Sequence, residues 1–421
     1  MKWIGNNWIF FMMVFVTNSA CSKTNTSEIE NLPNNRKEFI FLNLGHLKKV
    51  KDLIKAKNTY FLDAYNQLIT EANKELEKTV NPVTLKTQIP PSGDVHDYLS
   101  IAPYWWPDPT TQDGFPWISK DGQVNPMTRG DDTDQVRLSN MFDGLDILSM
   151  AYFFSDDTKY AKKAGEVIKI WFIDNATKVN PNVNFGQGVP RSVTGRSAGI
   201  IEWTGISNLI TTLQLLLSDN LMPDVEKTAL NSWLSDYYKW LSTSELGTAD
   251  DKGTQNHANW YDFQMVGLAR YLGLETEAKT RVEAAKIKRI AQQIEPDGSQ
   301  PQELRRTKSV YYSEMNLRAM TLVAEMGKPL GVDLWNYSTS DGRSLRKAFD
   351  YLRPYTLGER KWTYQQITSG GAEKAIEDRL KPLFSMASTI YGEELIDQSA
   401  NTAKHLSYLQ QLQYPPLSML K

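Results

Sequence analysis

The sequence lacks a strong excess of charge, more than one cysteine and any pairing of its histidines. Its 47 Lys and Arg residues nearly balance its 49 Asp and Glu residues, and a net charge of −2 is not the electrostatic signature of a nucleic-acid-binding protein. The four histidines form neither a His-Glu-x-x-His motif nor another closely spaced pair, so we expect no catalytic metal centre and no cofactor. Phosphate-binding and dinucleotide-binding glycine motifs are also missing, which removes the usual support for a kinase or a dehydrogenase. With 41% hydrophobic and 23% charged residues, the composition is that of a soluble globular protein.

The N-terminus reads as an export signal. Lys2 precedes an apolar stretch over residues 8–16 that is too short to span a bilayer, and small residues follow up to Cys21. Ser19-Ala20-Cys21 resembles a bacterial lipoprotein box, although Asn18 stands where leucine is usual. We expect residues 1–21 to be a signal peptide, Cys21 to be lipidated and residues 22–36 to be a tether. The protein would then be a periplasmic or outer-membrane lipoprotein of a Gram-negative bacterium, held to the membrane only by its lipid. It would contain no free thiol for catalysis, disulfides or metal binding.

Apolar residues recur at three- and four-residue steps through most of the remaining chain, which predicts amphipathic helices. Period-two segments are almost missing, and no fixed-length repeat occurs. These features favour an all-α fold, an (α/α) toroid or incomplete barrel of helical hairpins, formed by one domain over residues 37–421. The predicted helical stretches are 47–76, 135–155, 158–173, 197–218, 223–243, 257–272, 274–294, 309–327, 343–354, 372–391 and 398–412.

The segment 81–132 is the exception, and it is called the flap below. It holds 8 of the 19 prolines and the cluster Tyr104-Trp105-Trp106-Pro107. A long irregular segment in a compact domain is usually functional or disordered, and its aromatic residues argue against disorder. We expect it to cover a cleft; the alternative is a lid that only caps the helical core. The candidate sugar contacts in it are His96, Tyr98, Trp105 and Trp106.

Three polar patches lie where helical hairpins should begin. Each patch alone has an ordinary explanation, since an Asn-His pair before a helix is often a cap and an arginine-rich stretch is often a solvated face. Their combination is more informative. The patches are Asn182–Trp203, which includes Asn184, Gln187 and Arg196; Thr254–Trp260, which includes Asn256 and His257; and Glu295–Asn316, which includes Arg305, Arg306 and Tyr312.

These segments resemble the alginate lyase superfamily of polysaccharide lyases, and polysaccharide lyase family 38 is the closest subgroup. The resemblance covers roughly residues 90–320 and implies an α/α toroid that cleaves a polyuronate. The matching segments are Asn256-His257, Arg306-Thr307, Tyr312-Ser313 and the flap stretch from Asp97-Tyr98 to Trp105-Trp106-Pro107-Asp108-Pro109.

Elimination chemistry explains why these residue types would gather. A uronate is cleaved when the proton at C5 is removed and the C4 oxygen is expelled, but the ionised carboxylate beside C5 opposes this step. Hydrogen bonds or positive charge must neutralise the carboxylate. Asn256, with Gln187 or Asn184, could supply amide N–H groups, and Arg306 could supply charge. Arg196 and Arg305 are further substrate-binding candidates.

An acid and a base complete the predicted site. Tyr312 is the predicted acid, and either His257 or Tyr312 itself is the base. In β-mannuronate the C5 proton and the C4 oxygen share a face, so one tyrosine can serve both roles. In α-guluronate they lie on opposite faces, and a second group such as His257 is needed. Tyrosine is a poor base at a pKa of about 10, so this role requires nearby cations, for which Arg305, Arg306 and Lys308 are candidates.

The sequence therefore predicts a lyase for an acidic polysaccharide, most simply alginate, that leaves 4,5-unsaturated uronate ends. Three alternatives stay open. The substrate could be another uronate polymer such as glucuronan. The protein could be an α/α-barrel glycoside hydrolase, with Glu202, Asp297 and Glu303 as its candidate carboxylates. It could also be a surface lipoprotein that binds glycans without turnover.

Overall fold

The computed structural model describes residues 38–368, 370–396 and 405–420. The predicted signal peptide, the lipidation site Cys21 and the tether lie outside the described residues and stay predictions.

Helices dominate the described ranges. Several helical runs continue from an α-helix into a π-helical turn, at Lys169–Ile173, Lys286–Ile290 and Ile376–Leu380, and 3₁₀-helices occur at Val83–Leu85, Pro126–Arg129, Ser197–Trp203 and Lys328–Leu330. The α-helices are α1 (Leu44–Lys55), α2 (Thr59–Glu77), α3 (Gln135–Ser155), α4 (Thr158–Ile168), α5 (Ile206–Ser218), α6 (Asp224–Thr243), α7 (Glu245–Asp251), α8 (Asn256–Tyr271), α9 (Glu275–Ala285), α10 (Ala291–Gln293), α11 (Pro301–Leu304), α12 (Ser309–Gly327), α13 (Leu345–Thr356), α14 (Gly371–Ala375), α15 (Lys381–Tyr391), α16 (Tyr408–Gln413) and α17 (Leu417–Leu420).

Local sequence sets the helix ends. The first predicted stretch forms two helices because Lys57 takes a left-handed conformation, with φ of 59°, and Asn58 caps the next helix by accepting a hydrogen bond from the backbone N–H of Tyr60. Ser244 caps α7 in the same way, and this short helix was not predicted. In the stretch 197–218, a 3₁₀-helix precedes α5, which begins only at Ile206.

The helices form the expected α/α toroid. Helices α2, α3, α5, α8 and α12 pack side by side in that order, and α4 and α9 pack on α3 and α8 from outside. α16 packs against α2, and a hydrogen bond of 2.6 Å from Thr389 Oγ1 of α15 to the carbonyl oxygen of Pro415 ties the last helices together. α8 is buried on almost every side, as expected of an inner helix.

Much of the aromatic content fills the core. Trp203 stacks on Trp233 with ring centroids 5.8 Å apart, and Trp233 stacks on Tyr237 at 5.4 Å. The run Ser197–Ser218 is apolar and long enough to span a membrane, but 61% of its most apolar part is buried in the protein, which identifies it as a core segment.

Four short strands order the flap, and one of their two pairings joins it to the toroid. β1 (Leu99–Ile101) pairs in parallel with β4 (Phe185–Gly188), which lies outside the flap in sequence. β2 (Trp105–Trp106) pairs with β3 (Ile118–Ser119) as an antiparallel hairpin within the flap. The flap is therefore ordered by strand pairing at its base and by a hairpin at its tip.

Candidate active site

A cleft of about 740 Å³ opens between the flap and the helical core. The flap contributes one wall, and the 3₁₀-helix Ser197–Trp203, the end of α7, the start of α8 and the segment entering α12 contribute the others. Residues from widely separated parts of the sequence therefore meet there. The predicted residues that line the cleft are Trp105, Gln187, Arg196, Asn256, His257, Arg306 and Tyr312.

His257 is the second residue of α8 and presents a neutral imidazole to the cleft. Its side chain is 24% exposed, and its Nδ1 atom has no hydrogen-bond partner among the described residues. Burial, followed by the positive charges of Arg306 and Arg196, lowers the pKa of His257 to about 4. The imidazole is therefore unprotonated at neutral pH, the state a proton-accepting base requires.

Asn256 begins α8 and is held by a buried carboxylate. Glu303 accepts hydrogen bonds of 2.8 Å from both the backbone N–H and the side-chain Nδ2 of Asn256. This contact stabilises the N-terminus of the helix and fixes the orientation of the amide. Asn256 is completely buried although it lines the cleft, and a side-chain amide carries a second N–H donor besides the one bound to Glu303. The Oδ1 atom of Asn256 is buried and has no hydrogen-bond partner within the described ranges.

Tyr312 lies in the first turn of α12 between a second tyrosine and an arginine. Its hydroxyl donates a hydrogen bond of 2.7 Å to the hydroxyl of Tyr104, and the guanidinium carbon of Arg306 lies 3.8 Å from its ring centroid. Burial and Tyr104 raise the pKa of Tyr312 above its ordinary value, although Arg306 opposes the shift. Tyr312 is therefore a protonated phenol at neutral pH, as a general acid requires.

Arg306 is anchored by a flap residue that the sequence analysis did not identify. Asp121 accepts hydrogen bonds from Arg306 Nη2 at 2.5 Å and Nε at 3.1 Å, and also from the backbone N–H of Thr307. Partial burial disfavours the ionised carboxyl, but these hydrogen bonds lower the pKa of Asp121 to about 2. Arg305 is exposed and does not line the cleft. Of these two neighbouring arginines, Arg306 is therefore the one that faces the cleft.

Replacing Asp121 with Asn should loosen the flap. We expect amide hydrogen exchange in residues 102–125 to become about tenfold faster or more, because hydrogen bonds to charged groups contribute about 1.5–3 kcal/mol each. The contribution of Asp121 is present above the ordinary carboxyl pKa of 3.8 and is lost as the pH falls toward 2, because the folded-state pKa is the lower one. Hydrogen exchange monitored by mass spectrometry would measure this effect.

Asp113→Asn is the matched control. Asp113 also lies in the flap and pairs with an arginine, Arg191, but both side chains are more than 60% exposed. Exposed pairs contribute little, so exchange should stay near the wild-type rate. Equal acceleration in the two variants would mean that Asp121 does not anchor the flap.

Glu202 forms the floor of the cleft. Its carboxylate accepts hydrogen bonds from Ser100 Oγ at 2.5 Å, Tyr98 Oη at 2.9 Å and Gln187 Nε2 at 3.3 Å. Burial raises the pKa of Glu202, although these hydrogen bonds oppose the shift. Gln187 has a positive φ of 48°, a strained conformation for a residue other than glycine, and its backbone N–H donates to Ser100 Oγ.

Two further arginines face the cleft, Arg129 from the flap and Arg196. The Nη1 atom of Arg129 is buried and has no hydrogen-bond partner among the described residues. Arg196 lies close enough to Glu202 and His257 to affect the charge of each. The 3₁₀-helix Ser197–Trp203 and β4 approach each other closely at Gly199 and Gly186. Glycine is needed there, because a Cβ atom at Gly199 would lie 2.6 Å from the backbone of Gly186. Both arginines bring positive charge to the cleft, and among the described residues neither forms a bidentate ion pair with a carboxylate, although Glu202 lies near both.

Tyr98 was wrongly predicted to contact sugar. Its side chain is completely buried, stacks edge-on against Trp203 and donates its hydroxyl hydrogen bond to Glu202. It supports the floor of the cleft from behind. The predicted binding residues that do not line the cleft are His96, Tyr98, Trp106, Asn184 and Arg305.

The other four lie outside the cleft for local reasons. His96 Nδ1 lies 2.6 Å from a backbone carbonyl oxygen, and Trp106 Nε1 donates to another at 3.0 Å. Asn184 Oδ1 accepts a hydrogen bond of 2.9 Å from the indole of Trp240. Arg305 follows α11 on its exposed side. They do not line the cleft, and a contact between any of them and the substrate stays a prediction.

The carboxylates proposed for a hydrolase do not form a pair across the cleft. Only Glu202 of the three lines it. Glu303 is fully engaged with Asn256, and Asp297 accepts hydrogen bonds from Ser299 in a turn outside the cleft. Glycoside hydrolysis needs two carboxyl groups on either side of the scissile bond, so this arrangement does not favour a hydrolase.

The segment Gly195–Gly199 matches the Gly-x-Ser-x-Gly pattern of serine hydrolases, and Ser197 lines the cleft. The pattern places the serine on a sharp turn from a strand into a helix, within hydrogen-bond reach of a base. Here Ser197 begins a 3₁₀-helix, and the described residues show no hydrogen bond between it and His257. The geometry does not support acyl transfer.

The residues of the cleft that sequence reasoning did not select include Tyr104, Asp121, Arg129 and Asp250. Tyr104 lies next to the predicted contact Trp105 and was the easiest to find. Asp121 carries no local signal, since its partner Arg306 lies 185 positions away in sequence. Arg129 and Asp250 are charged residues that no sequence motif marks.

The model of the alginate lyase family matches residues 83–362 of the chain. The chain belongs to the alginate lyase family. It is therefore a polysaccharide lyase with an α/α toroid fold, as the sequence predicted. Its placement in polysaccharide lyase family 38 stays a prediction.

Solved alginate lyases share this fold. An alginate lyase from Bacteroides ovatus is 34% identical, with a TM-score of 0.80 over 88% of this chain and 98% of that chain. Alginate lyase A1-III from Sphingomonas species A1 is 14% identical, with a TM-score of 0.51 over 84% of this chain and 94% of that one. A histidine-to-alanine variant of A1-III complexed with a tetrasaccharide is 13% identical, with a TM-score of 0.53 over 87% and 93% of the two chains. A comparison with curated proteins gave no match.

Proposed function

We propose that this lyase cleaves alginate by β-elimination in the cleft beneath the flap. The observation that carries the proposal is the convergence of an amide, an imidazole, a guanidinium and a phenol, from Asn256, His257, Arg306 and Tyr312, in one cleft. Membership in the alginate lyase family and the similarity to the Bacteroides ovatus alginate lyase support alginate as the substrate.

The substrate carboxylate must be neutralised before C5 can lose its proton. We assign one donor to the second N–H of the Asn256 amide, which substrate would have to reach from the cleft. Arg306 is already paired with Asp121, and the Gln187 amide is already bonded to Glu202, so neither is fully available. Arg129 and Arg196 are the cations that remain, and we assign carboxylate recognition chiefly to them.

Proton transfer is assigned to His257 and Tyr312. The neutral imidazole of His257 takes the C5 proton, and the protonated phenol of Tyr312 gives its proton to the departing C4 oxygen. These resting states suit guluronate, whose proton and leaving group lie on opposite faces. For mannuronate, Tyr312 has to act as base, and its raised pKa means that the substrate must first help to deprotonate it.

Arg305 and Lys308, two of the cations predicted to help Tyr312 act as a base, are poorly placed for that role. Arg305 is exposed, and Lys308 Nζ lies 5.6 Å from the ring centroid of Tyr104 rather than beside Tyr312. Among the cations of the described residues, Arg306 is the one that contacts the Tyr312 ring, and Asp121 offsets its charge. Guluronate cleavage is therefore the reaction for which the free enzyme is better prepared.

A panel of pure polyuronates tests the proposed function. Polyguluronate, polymannuronate and glucuronan would be digested separately while ultraviolet absorbance of the unsaturated uronate is followed. Absorbance should rise with the two alginate polymers. Cleavage of glucuronan alone would replace the assigned substrate, new reducing ends without absorbance would indicate hydrolysis, and no product from any polymer would favour a glycan-binding protein.

Removing either cleft arginine should weaken substrate binding. We expect Arg129→Gln and Arg196→Gln each to raise KM by about ten- to a hundredfold, because a charged hydrogen bond contributes about 1.5–3 kcal/mol. The effect should shrink as salt is added, since ions screen the attraction. Steady-state kinetics at two ionic strengths would measure both quantities.

Arg346→Gln is the control for the two variants Arg129→Gln and Arg196→Gln. Arg346 forms an exposed ion pair with Glu393 and does not line the cleft, so its loss should leave KM unchanged. An unchanged KM in both cleft variants would assign carboxylate recognition to other groups.

We also propose that the protein is exported and anchored by a lipid on Cys21. The support is the sequence Ser19-Ala20-Cys21 after an apolar stretch. Cys21→Ala should move the protein from the membrane fraction to the soluble fraction of cells. Continued membrane association of that variant would argue against the lipid anchor.

A further inference from the structure

Two buried polar groups without partners face each other at the edge of the cleft. Asp250 Oδ1 lies 4.0 Å from His257 Nδ1. His257 Nδ1 and Asp250 Oδ2 are both buried, and neither has a hydrogen-bond partner among the described residues. Buried polar atoms are nearly always satisfied, so an unsatisfied pair at an active site calls for an explanation.

The carboxylates near Asp250 accept hydrogen bonds from arginines, and among the described residues Asp250 is an exception to this pattern. Asp251 accepts a hydrogen bond of 2.8 Å from Arg281, and Asp262 accepts one of 2.7 Å from Arg289. The two arginines are thus engaged by other acids. Asp250, near the end of α7 and only 5% exposed, turns toward the cleft instead.

The pKa shifts of Asp250 and His257 also favour a contact between the two side chains. Burial raises the pKa of Asp250 to about 7, although Arg289 opposes the shift, and burial lowers the pKa of His257 to about 4. Each group alone is pushed toward its neutral form. A hydrogen bond between the imidazole N–H and the carboxylate would offset both shifts, because each group stabilises the charge of the other.

We propose that Asp250 is the positioning residue of the catalytic base: it accepts the Nδ1–H of His257 and so leaves Nε2 free to receive the substrate proton. This role rests on the proposed function of His257. The distance of 4.0 Å closes to hydrogen-bond length by a small rotation of the two side chains as substrate fills the cleft.

The elimination balances with this assignment. The C5 proton passes to His257 Nε2, the electron pair of the C5–H bond forms the C4=C5 double bond, and the C4–O bond breaks. Tyr312 donates its proton to the departing oxygen. The Nδ1–H stays on the imidazole throughout, and the carboxylate of Asp250 stabilises the imidazolium without taking its proton.

Asp250→Asn tests the proposal. We expect kcat on polyguluronate to fall by about a hundredfold, within the range for general base catalysis, with little change in KM. In a His257→Ala background the same substitution should have no further effect, because two residues that act as a unit are not additive. A loss of equal size in that background would overturn the proposal.

A spectroscopic measurement keeps the test independent of turnover. With only four histidines in the chain, the ¹⁵N resonances of His257 can be assigned by comparison with the His257→Ala variant. Wild type should show the tautomer protonated at Nδ1 when oligouronate is bound, and Asp250→Asn should shift the population toward protonation at Nε2. An unchanged tautomer would refute the role of Asp250, whether or not alginate proves to be the substrate.

Two further variants separate positioning from folding. Asp251→Asn removes an adjacent carboxylate that pairs with Arg281, so it should lower thermal stability and leave the His257 tautomer unchanged. Asp250→Glu keeps a carboxylate and should retain more activity than Asp250→Asn. Equal loss in Asp250→Glu and Asp250→Asn, with a wild-type tautomer in both, would mean that Asp250 only supports the fold.

Discussion

Tyr312→Phe should abolish elimination on every uronate that the enzyme accepts. The substitution removes only the hydroxyl that would protonate the leaving oxygen, and general acid–base catalysis contributes about 10²–10⁴-fold. Oligosaccharide binding should persist, since the ring, its contact with Arg306 and the cleft arginines all remain. Progress curves from ultraviolet absorbance would give kcat, and calorimetry would give the dissociation constant of an oligouronate.

Tyr160→Phe is the matched control for that experiment. Tyr160 is also buried and also donates a hydroxyl hydrogen bond, to Asn73 at 2.9 Å, but it lies outside the cleft. Its loss should reduce stability by about 1 kcal/mol and leave kcat unchanged. Turnover by Tyr312→Phe within tenfold of wild type would remove Tyr312 from the proton-transfer step.

His257→Ala should separate the two alginate epimers. Guluronate needs a base on the face opposite the leaving oxygen, so its cleavage should fall by about 10²-fold or more. Mannuronate, which Tyr312 can serve on one face, should lose less. Measuring kcat on polyguluronate and polymannuronate with the same enzyme preparation gives the ratio directly.

His257→Gln distinguishes a base at position 257 from a side chain that only orients the substrate. A glutamine keeps a hydrogen-bonding side chain of similar length but cannot accept a proton at neutral pH, so it should be as inactive as alanine on polyguluronate. Recovery of activity with His257→Gln, or equal losses on both polymers with His257→Ala, would mean that His257 orients the substrate instead of deprotonating it.

The core of the site could be predicted because its residues resemble segments of the alginate lyase superfamily and also stand near the predicted starts of helices. The predicted helix began at His257, and the structure begins α8 one residue earlier, at Asn256. Tyr312 was placed at the start of α12 by the same reasoning. Such positions are local properties of the sequence, which periodicity and capping rules can detect.

Side-chain direction could not be predicted in the flap. Tyr98 and Trp105 are both aromatic, seven positions apart and equally suited to stacking on sugar, yet Tyr98 is buried in the core and Trp105 lines the cleft. The difference arises from the pairing of β1 with β4, which fixes which faces of the flap turn inward. That pairing joins segments more than eighty residues apart and leaves no local trace.

The hydrogen-bond partners of the catalytic residues could not be predicted from the sequence, for the same reason. Asp121 lies 185 positions before Arg306, and Glu303 lies 47 positions after Asn256. A lone aspartate in a polar stretch is ordinarily solvated, so its sequence context gave no reason to select Asp121. Only the folded chain brings each carboxylate to its cation or amide.

The bond between Asp121 and Arg306 restricts how the flap can be exchanged with that of a related lyase. A graft intended to widen the range of polymers would bring new wall residues, but it would release the arginine if the incoming hairpin lacked an acid at that position. Such chimeras should therefore be designed with Asp121, Arg306 and Thr307 transferred or retained together as one block, and a library that varies the flap while holding these three constant should yield more active clones than one that varies it freely.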